Sequence, residues 1–405
     1  MKVFINIAII TLFFAALFFI CPFAAFVLAF VLLFQKKSIS AKTLILIVVI
    51  ALFWGLLNFT QKTIGSTETD LVRYYSSMQY AEDANLFELF LYINPLEILN
   101  FVFYPVSFSI ISLSGRVEMM SFFWAFLVYL LTYIAILRLF WFYECNSQRI
   151  YAIVIFITSF IFMLFVEIGD VMKQSTGFAL AFYAYTLYLT NGKTWQIAFF
   201  NVIAIGCHPT VVLLFLLYFA DRLQTKKIIL LCIILLPLFS MVNWMSLVLN
   251  IIPDAGLFVE LEERYSGYAE SEKQVTAHYI IIALALFLYC IMSWRKRLSV
   301  DVPTNIALLY LLILFANISM FAAFKRFSLF AYFPFVILTI SNMLENWSAK
   351  VRLLTMFVCV IMLISTFRYT KGRLVGHYSS SYMDNSITEI VFSTANDYLS
   401  KHYDQ

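Results

Sequence analysis

The chain has 405 residues, of which 63% are hydrophobic and only 12% are charged. Soluble domains carry roughly a quarter charged residues, so this composition excludes an ordinary soluble enzyme or binding module. The formal net charge of +4 says little without the positions of the charges. Apolar runs long enough to cross a bilayer recur from one end of the chain to the other. The sequence therefore predicts an all-α, polytopic integral membrane protein whose single domain, residues 1–405, holds roughly 11–13 transmembrane or half-membrane helices.

The first part of the chain alternates apolar runs with polar breaks. Residues 3–34 would form a helix of about 48 Å. That exceeds one bilayer crossing, so we predict two short spans broken near Pro22. A span at 43–60 follows. Residues 61–116 are predicted to be an outer loop with re-entrant or interfacial helices, because prolines and charges interrupt their apolar sequence.

The rest of the chain is mostly apolar. Residues 195–220 form two half-length apolar pieces broken at 206–209, which predicts a helical hairpin that does not fully cross. Residues 249–276, a second outer loop, and 368–405, a C-terminal tail, are polar enough to lie outside the membrane. Full spans are predicted at 118–139, 150–166, 175–190, 228–248, 277–293, 303–323, 327–343 and 352–367.

The loops divide into a basic and an acidic group when successive spans alternate in direction. One side holds 15 of the 27 lysines and arginines but only 4 of the 23 acidic residues. Its loops are short, so its basic density is high, and the positive-inside rule makes this side cytoplasmic. The basic loops are the N-terminus, 35–42, 138–149, 191–194, 221–227, 294–302 and 344–352.

The first sustained polar stretch, residues 61–80, lies on the opposite side. It carries Asp70, Arg73 and Tyr74. A carboxylate and a guanidinium three residues apart face one another on a helical turn, so we interpret this stretch as one wall of a site at the membrane surface. The alternative is an ordinary solvated loop between two spans.

Four further segments bring polar groups to the same side of the membrane. Ionisable residues at membrane depth are costly and often mark function. Lysines and arginines at span ends also serve as interfacial anchors, a lone histidine is often a satisfied core residue, and Glu167 and Asp170 are acidic partners for Lys173. The candidates are Lys173, Gln174, His208, Arg264, Tyr265, Lys325 and Arg326.

Several basic groups at one face predict an anion site, with phosphate or pyrophosphate as the ligand. A pyrophosphate carried by a lipid would lie at that depth. The sequence contains no Gly-rich phosphate loop, GxSxG or HExxH motif. No cofactor and no metal site are expected, and the cysteines show no CxxC spacing.

The order of these features resembles the EpsG/Wzy-type polysaccharide polymerases of bacteria. Four segments carry the resemblance: TDLVRYYSSMQY at 69–80, KQSTGFALAFYAY at 173–185, AIGCHPTVVLLFLLY at 204–218 and KRFSLFAYFPF at 325–335. They are similar to the family's Asp-x-x-Arg-Tyr, Arg-Gln-x-x-Ala, His-x-Ser-Ala and Arg-x-x-x-Tyr-Phe elements. Two departures stand out. Lys173 replaces an arginine, and Pro209-Thr210 replace the residues that often follow the histidine.

The resemblance implies a metal-independent membrane glycosyltransferase, with a GT-C-like fold as one expectation. It would join undecaprenyl-pyrophosphate-linked oligosaccharide repeat units into O-antigen, capsule or exopolysaccharide at the periplasmic face of the bacterial inner membrane. Implied partners are the lipid-linked glycans, the bilayer, a chain-length regulator and a flippase, and no nucleic acid.

The implied roles divide the candidates into two sets. His208, then Asp70, would accept the proton of the acceptor hydroxyl. Arg73, Lys173 and Arg326 would stabilise the pyrophosphate leaving group, assisted by Gln174, Arg264 and Lys325, while Tyr74 and Tyr265 would stack on sugar faces.

Two other functions stay open from the sequence. An O-antigen ligase, or another glycosyltransferase with a lipid-linked donor, would share the outward-facing basic site and differ in its acceptor. A lipid-linked oligosaccharide flippase or transporter is expected to show polar residues near mid-span in two related halves. Here the charges sit at span ends and no halves are visible.

Overall fold

A computed structural model describes most of the helical part of the chain. It covers residues 2–35, 39–59, 74, 78, 99–145, 147–163, 165–241, 277–295, 298–318 and 321–344, with 353, 356, 357, 359, 360, 363 and 364. The predicted loop at 249–276, the tail at 368–405 and most of the predicted span at 352–367 lie outside the described residues.

The described residues form fourteen α-helices, one π-helical turn and one 3-10 helix. The first seven α-helices are α1 (Lys2–Ile20), α2 (Pro22–Leu33), α3 (Ala41–Phe59), α4 (Phe103–Ser114), α5 (Glu118–Phe142), α6 (Gln148–Ile157) and α7 (Phe165–Asp170). The π-helical turn, Thr158–Phe162, lies between α6 and α7.

The second half of the chain is built in the same way. Its helices are α8 (Met172–Leu189), α9 (Thr194–Cys207), the 3-10 helix (Pro209–Phe219), α10 (Thr225–Met241), α11 (Ala277–Ser293), α12 (Val302–Ala316), α13 (Phe321–Leu329) and α14 (Tyr332–Leu344).

The prediction of an all-α membrane protein is confirmed. No strand occurs among the described residues. Three helical segments there are long and apolar enough to cross a membrane, namely Ala41–Phe59, Glu118–Phe142 and Ala323–Asn342, and eight shorter apolar helices accompany them.

Two predicted chain breaks are present, and proline explains both. Cys21 is extended and Pro22 is the first residue of α2, because proline has no N–H to donate to a preceding turn. Likewise His208 is extended and Pro209 begins the 3-10 helix. With 14 residues, α9 spans about 21 Å, less than the roughly 30 Å of a bilayer core. The predicted half-length hairpin is therefore observed.

Two other breaks differ from the predicted spans, and tertiary contacts explain them. In the segment predicted as 150–166 the chain widens into the π-helical turn, where Met163 N–H bonds to Thr158 O and Tyr129 OH donates to Met163 O at 2.6 Å. Between α13 and α14 the Tyr310 hydroxyl donates to Phe327 O at 2.6 Å. In a continuous α-helix that carbonyl would accept from the backbone N–H of the residue four positions later.

The core is formed by α3, α5, α8 and α9, which pack side by side. Trp54 of α3 stacks on Tyr129 of α5 with ring centres 5.2 Å apart. The adjacent Gly55 allows this approach, because a Cβ there would lie 3.0 Å from both Phe122 O and Phe126 Cβ. Small residues at such positions let membrane helices pack closely.

Hydrogen bonds gather one set of helix ends together, which we call the basic end. They connect the end of α2 with the start of α6 and the end of α5 with the end of α8. They also connect α8 with Asp221, the start of α10 with Ser299, and α11 with α14. The bonds are Gln148 to Leu32 O (2.9 Å), Arg138 to Thr190 (2.6 Å), Tyr188 to Asp221 (2.8 Å), Thr225 N–H to Ser299 O (3.1 Å) and Asn342 to Ser293 (2.8 Å). The opposite ends of these helices, which we call the site end, include the starts of α5 and α8 and the close of α9.

Candidate functional site

The first turn of α8 buries a lysine at the site end. Lys173 is only 8% exposed, and its ammonium donates a hydrogen bond to Tyr104 OH at 3.0 Å. The ammonium also lies 5.1 Å from the ring centre of Tyr74. A desolvated ammonium beside an aromatic ring gains about 2 kcal/mol. The structure thus joins two predicted site residues, Tyr74 and Lys173, and adds Tyr104.

A row of aromatic side chains holds Tyr74 against this lysine. The ring of Tyr74 packs on Phe103 with centres 5.7 Å apart, and Phe103 stacks on Trp124 at 5.1 Å. The indole N–H of Trp124 donates to Ser107 Oγ at 2.8 Å, which fixes the row on α4 and α5. Tyr74 therefore contacts a rigid surface, and its position next to Lys173 is determined by packing.

The second polar group of α8 connects to the histidine at the helical break. Gln174 is 4% exposed, and its Nε2 lies 3.4 Å from Thr210 Oγ1. Thr210 Oγ1 in turn lies 2.7 Å from Nδ1 of His208. Gln174 Oε1 is buried and has no hydrogen-bond partner within the part of the chain that the structure describes. The three side chains form a connected polar group with one open acceptor.

Two glycines bring the polar groups of α8 and α9 within reach. A Cβ on Gly177 would lie 2.8 Å from Val211 Cγ2 and 3.0 Å from Ala204 O, so only glycine permits this spacing. Gly206 has the same function on the other face of α9, where its carbonyl accepts from Val102 N–H at 2.8 Å. The segment leading into α4 and Tyr104 is thereby held against α9.

The third polar group is an ion pair that joins α7 to α13. Lys325 Nζ lies 3.0 Å from Glu167 Oε2, and Glu167 is 1% exposed. Phe330 stacks on Phe178 of α8 at 4.2 Å, which holds the segment beginning at α13 beside α8. One interpretation of the sequence is that Glu167 pairs with Lys173. The structure pairs it with Lys325. Arg326, the residue after Lys325, is half-buried.

Four of the candidate residues lie outside the described residues, namely Asp70, Arg73, Arg264 and Tyr265. Two residues that contact the candidates, Thr210 and Tyr104, were missed from the sequence. Thr210 was noted only as a departure from the family pattern, and the capping of this helix by the His208 side chain was not foreseen. Tyr104 stood in an ambiguous aromatic stretch, and nothing in its neighbours distinguishes it. No cluster of three metal-ligating side chains occurs among the described residues.

The arrangement can bind an anion next to a hydrogen-bonding histidine. The buried ammonium of α8 and the half-buried arginine of α13 are the cationic groups for it. The open amide oxygen of Gln174, also on α8, can only accept, for example from a sugar hydroxyl.

Comparison with known proteins gives one match. The EpsG family model matches residues 64–381, more than half of the chain, and the range includes every candidate residue. No curated protein and no solved structure matches the chain.

Proposed function

The chain belongs to the EpsG family, and on that basis we propose that it polymerises lipid-linked oligosaccharide repeat units at a membrane surface. Family membership indicates a membrane polysaccharide-polymerase type of function. The donor in this proposal is the growing glycan on undecaprenyl pyrophosphate, and the acceptor is a sugar hydroxyl of a fresh lipid-linked repeat unit. The site faces the periplasm and the enzyme resides in the inner membrane of a bacterium.

The observation that carries the proposal is that the first turn of α8 holds both the buried Lys173 and, at the next position, the Gln174–Thr210–His208 group. Keeping an ammonium buried in an apolar helix bundle costs free energy that a soluble surface lysine avoids. The two tyrosines reduce that cost, and an anionic ligand would reduce it further. A lipid pyrophosphate carries the negative charge that an ammonium binds. Its anchoring in the bilayer also places it at the depth of these helix ends.

The chemistry is a single displacement at an anomeric carbon. The acceptor hydroxyl oxygen forms the new bond to that carbon, and the bond from the carbon to the pyrophosphate oxygen breaks. The hydroxyl proton passes to a base, for which His208 and Asp70 are the candidates. The electron pair leaves with the lipid pyrophosphate.

Preorganised cations stabilise the charge that develops on the leaving group. We assign this role to Lys173, Arg73 and Arg326, with Arg264 as a further contact. Glu167 fixes Lys325 next to Arg326. Tyr74 contributes by positioning Lys173, and Tyr265 is the candidate for stacking on a sugar face.

The test uses cells that carry the matching repeat-unit pathway. Arg326→Ala and His208→Ala are expected to leave glycan of a single repeat and to remove the polymer ladder, at an unchanged level of the protein. Arg138→Ala is the matched control, because Arg138 is a half-buried arginine bonded to Thr190 at the basic end. It is expected to retain the ladder.

Two outcomes contradict the proposal. An intact ladder in both site variants removes these residues from the mechanism. Loss of the single-repeat product as well points to an earlier step, such as export of the lipid-linked unit.

A further inference from the structure

The hydrogen bonds at His208 have a direction that one of their donors determines. The side chain of His208 caps the start of the 3-10 helix, where its Nδ1 lies 3.4 Å from the backbone N–H of Thr210. A backbone N–H can only donate. Pro209 has no N–H, so Thr210 supplies the first N–H that this helix offers. Nδ1 of His208 is therefore placed as an acceptor.

The hydroxyl of Thr210 supports the same direction of hydrogen bonding. Its hydroxyl oxygen lies 2.7 Å from Nδ1, which is the short contact of the pair. The amide Nε2 of Gln174 approaches the same oxygen at 3.4 Å and occupies one of its lone pairs. The hydroxyl proton is then free to point at the ring. The direction runs from Gln174 through Thr210 to Nδ1.

From this geometry we infer that Thr210 holds the neutral His208 ring in the tautomer whose proton lies on Nε2. A neutral imidazole has one protonated nitrogen and one acceptor nitrogen. With Nδ1 accepting from Thr210, the other nitrogen carries the proton. Thr210 is a positioning residue in this assignment, and Gln174 orients its hydroxyl.

This tautomer has a consequence that rests on the proposed function: it assigns different roles to the two candidate bases, His208 and Asp70. A ring protonated at Nε2 has no lone pair there to take the proton of an acceptor hydroxyl. It offers an N–H to the pyrophosphate oxygen or to a sugar oxygen instead, and the base is then another group, with Asp70 as the candidate.

The tautomer can be measured without substrate. Protein labelled with 15N-histidine, in bilayers at pH 8, is expected to give a pyridine-type signal for Nδ1 of His208 and a pyrrole-type signal for Nε2. The chain has four histidines, and the pair of signals missing from His208→Gln identifies the right one. A pyrrole-type Nδ1 overturns the assignment.

The role of Thr210 is tested by removing and restoring its hydroxyl. Thr210→Val is expected to shift the tautomer toward a mixture and to lower polymer formation about tenfold, which corresponds to about 1.4 kcal/mol. Thr210→Ser keeps the hydroxyl and is expected to restore both. Thr186→Val, a buried threonine bonded to Tyr183 O within its own helix, is the control. Equal loss in the valine and serine variants contradicts a positioning role.

The donor role is tested separately in the polymer assay. The amide N–H of glutamine occupies the place of Nε2 and donates, but it is no base at neutral pH. His208→Gln is expected to retain several-fold more polymer than His208→Ala. Equal inactivity overturns the donor role. The NMR result stands apart from it, so failure of the polymerase proposal and failure of the tautomer are distinguishable.

Discussion

The two ends of the helix bundle both bury charged groups, but the partners of those groups differ. At the basic end Asp301 is 1% exposed and its carboxylate accepts from Arg295 Nε at 3.2 Å, Arg295 N–H at 3.0 Å and Thr304 at 2.8 Å. Its backbone N–H donates to Thr225, which ties α10 to α12. The chain itself satisfies this carboxylate. At the site end the buried charge is Lys173, whose ammonium bonds to Tyr104 OH and lies over the ring of Tyr74. Among the described residues each end also has one buried amide oxygen without a hydrogen-bond partner, on Gln174 and on Asn305.

This difference separates a structural network from a binding one. A buried charge that its own chain surrounds with donors fixes two loops together and has no capacity for a ligand. A buried ammonium that contacts the hydroxyl of one tyrosine and the ring of another can bind an anion as well. Substitutions at the two ends should therefore change different measurements.

The largest expected effect is on activity at the site end. Lys173→Met removes the ammonium and keeps the length of the side chain, and we expect polymer formation to fall about a hundredfold. Protein level and thermal unfolding should change little. The control is Lys193→Met, at an exposed lysine of the basic end, which should leave polymer formation unchanged. Full activity in Lys173→Met would remove the ammonium from the site.

The next effect is on stability at the basic end. Asp301→Ala leaves Arg295 without its buried carboxylate and should destabilise the protein by about 3 kcal/mol, measured by thermal unfolding in detergent. Polymer formed per folded molecule should stay unchanged. Asp221→Ala, an exposed acid of the same end, should alter stability far less. A loss of specific activity in Asp301→Ala would mean that the two ends are coupled.

The smallest effect compares two crowded glycines. A Cβ on Gly177 would meet Ala204 O at 3.0 Å, and one on Gly192 would meet Leu187 O at 2.9 Å. Each alanine variant should lose about 1–3 kcal/mol of stability through overpacking. Only Gly177→Ala should also reduce the polymer ladder, because it pushes Val211 and the neighbouring Thr210 away from α8. Equal activity in the two variants would show that this spacing is structural alone.

Much of the architecture was predictable, and the polar group at the site only in part. The break at Pro22 and the half-length hairpin at Pro209 were predicted because proline acts on its immediate neighbours. The break between α13 and α14 was not, because it depends on the Tyr310 hydroxyl bonding to Phe327 O. Lys173, Gln174 and His208 were singled out as polar residues in apolar surroundings, but their connection through Thr210 was not.

The sequence by itself determined the class of the protein, its two breaks next to proline and the identity of the charged residues that are costly to bury. These follow from composition and from local chain geometry. Only the tertiary structure decided which partner each polar group received: Glu167 with Lys325, Lys173 with Tyr104 and Tyr74, and His208 with Thr210. The physical reason is that a buried charge can be satisfied by any suitable group in reach, and the packing of distant helices determines which groups are in reach.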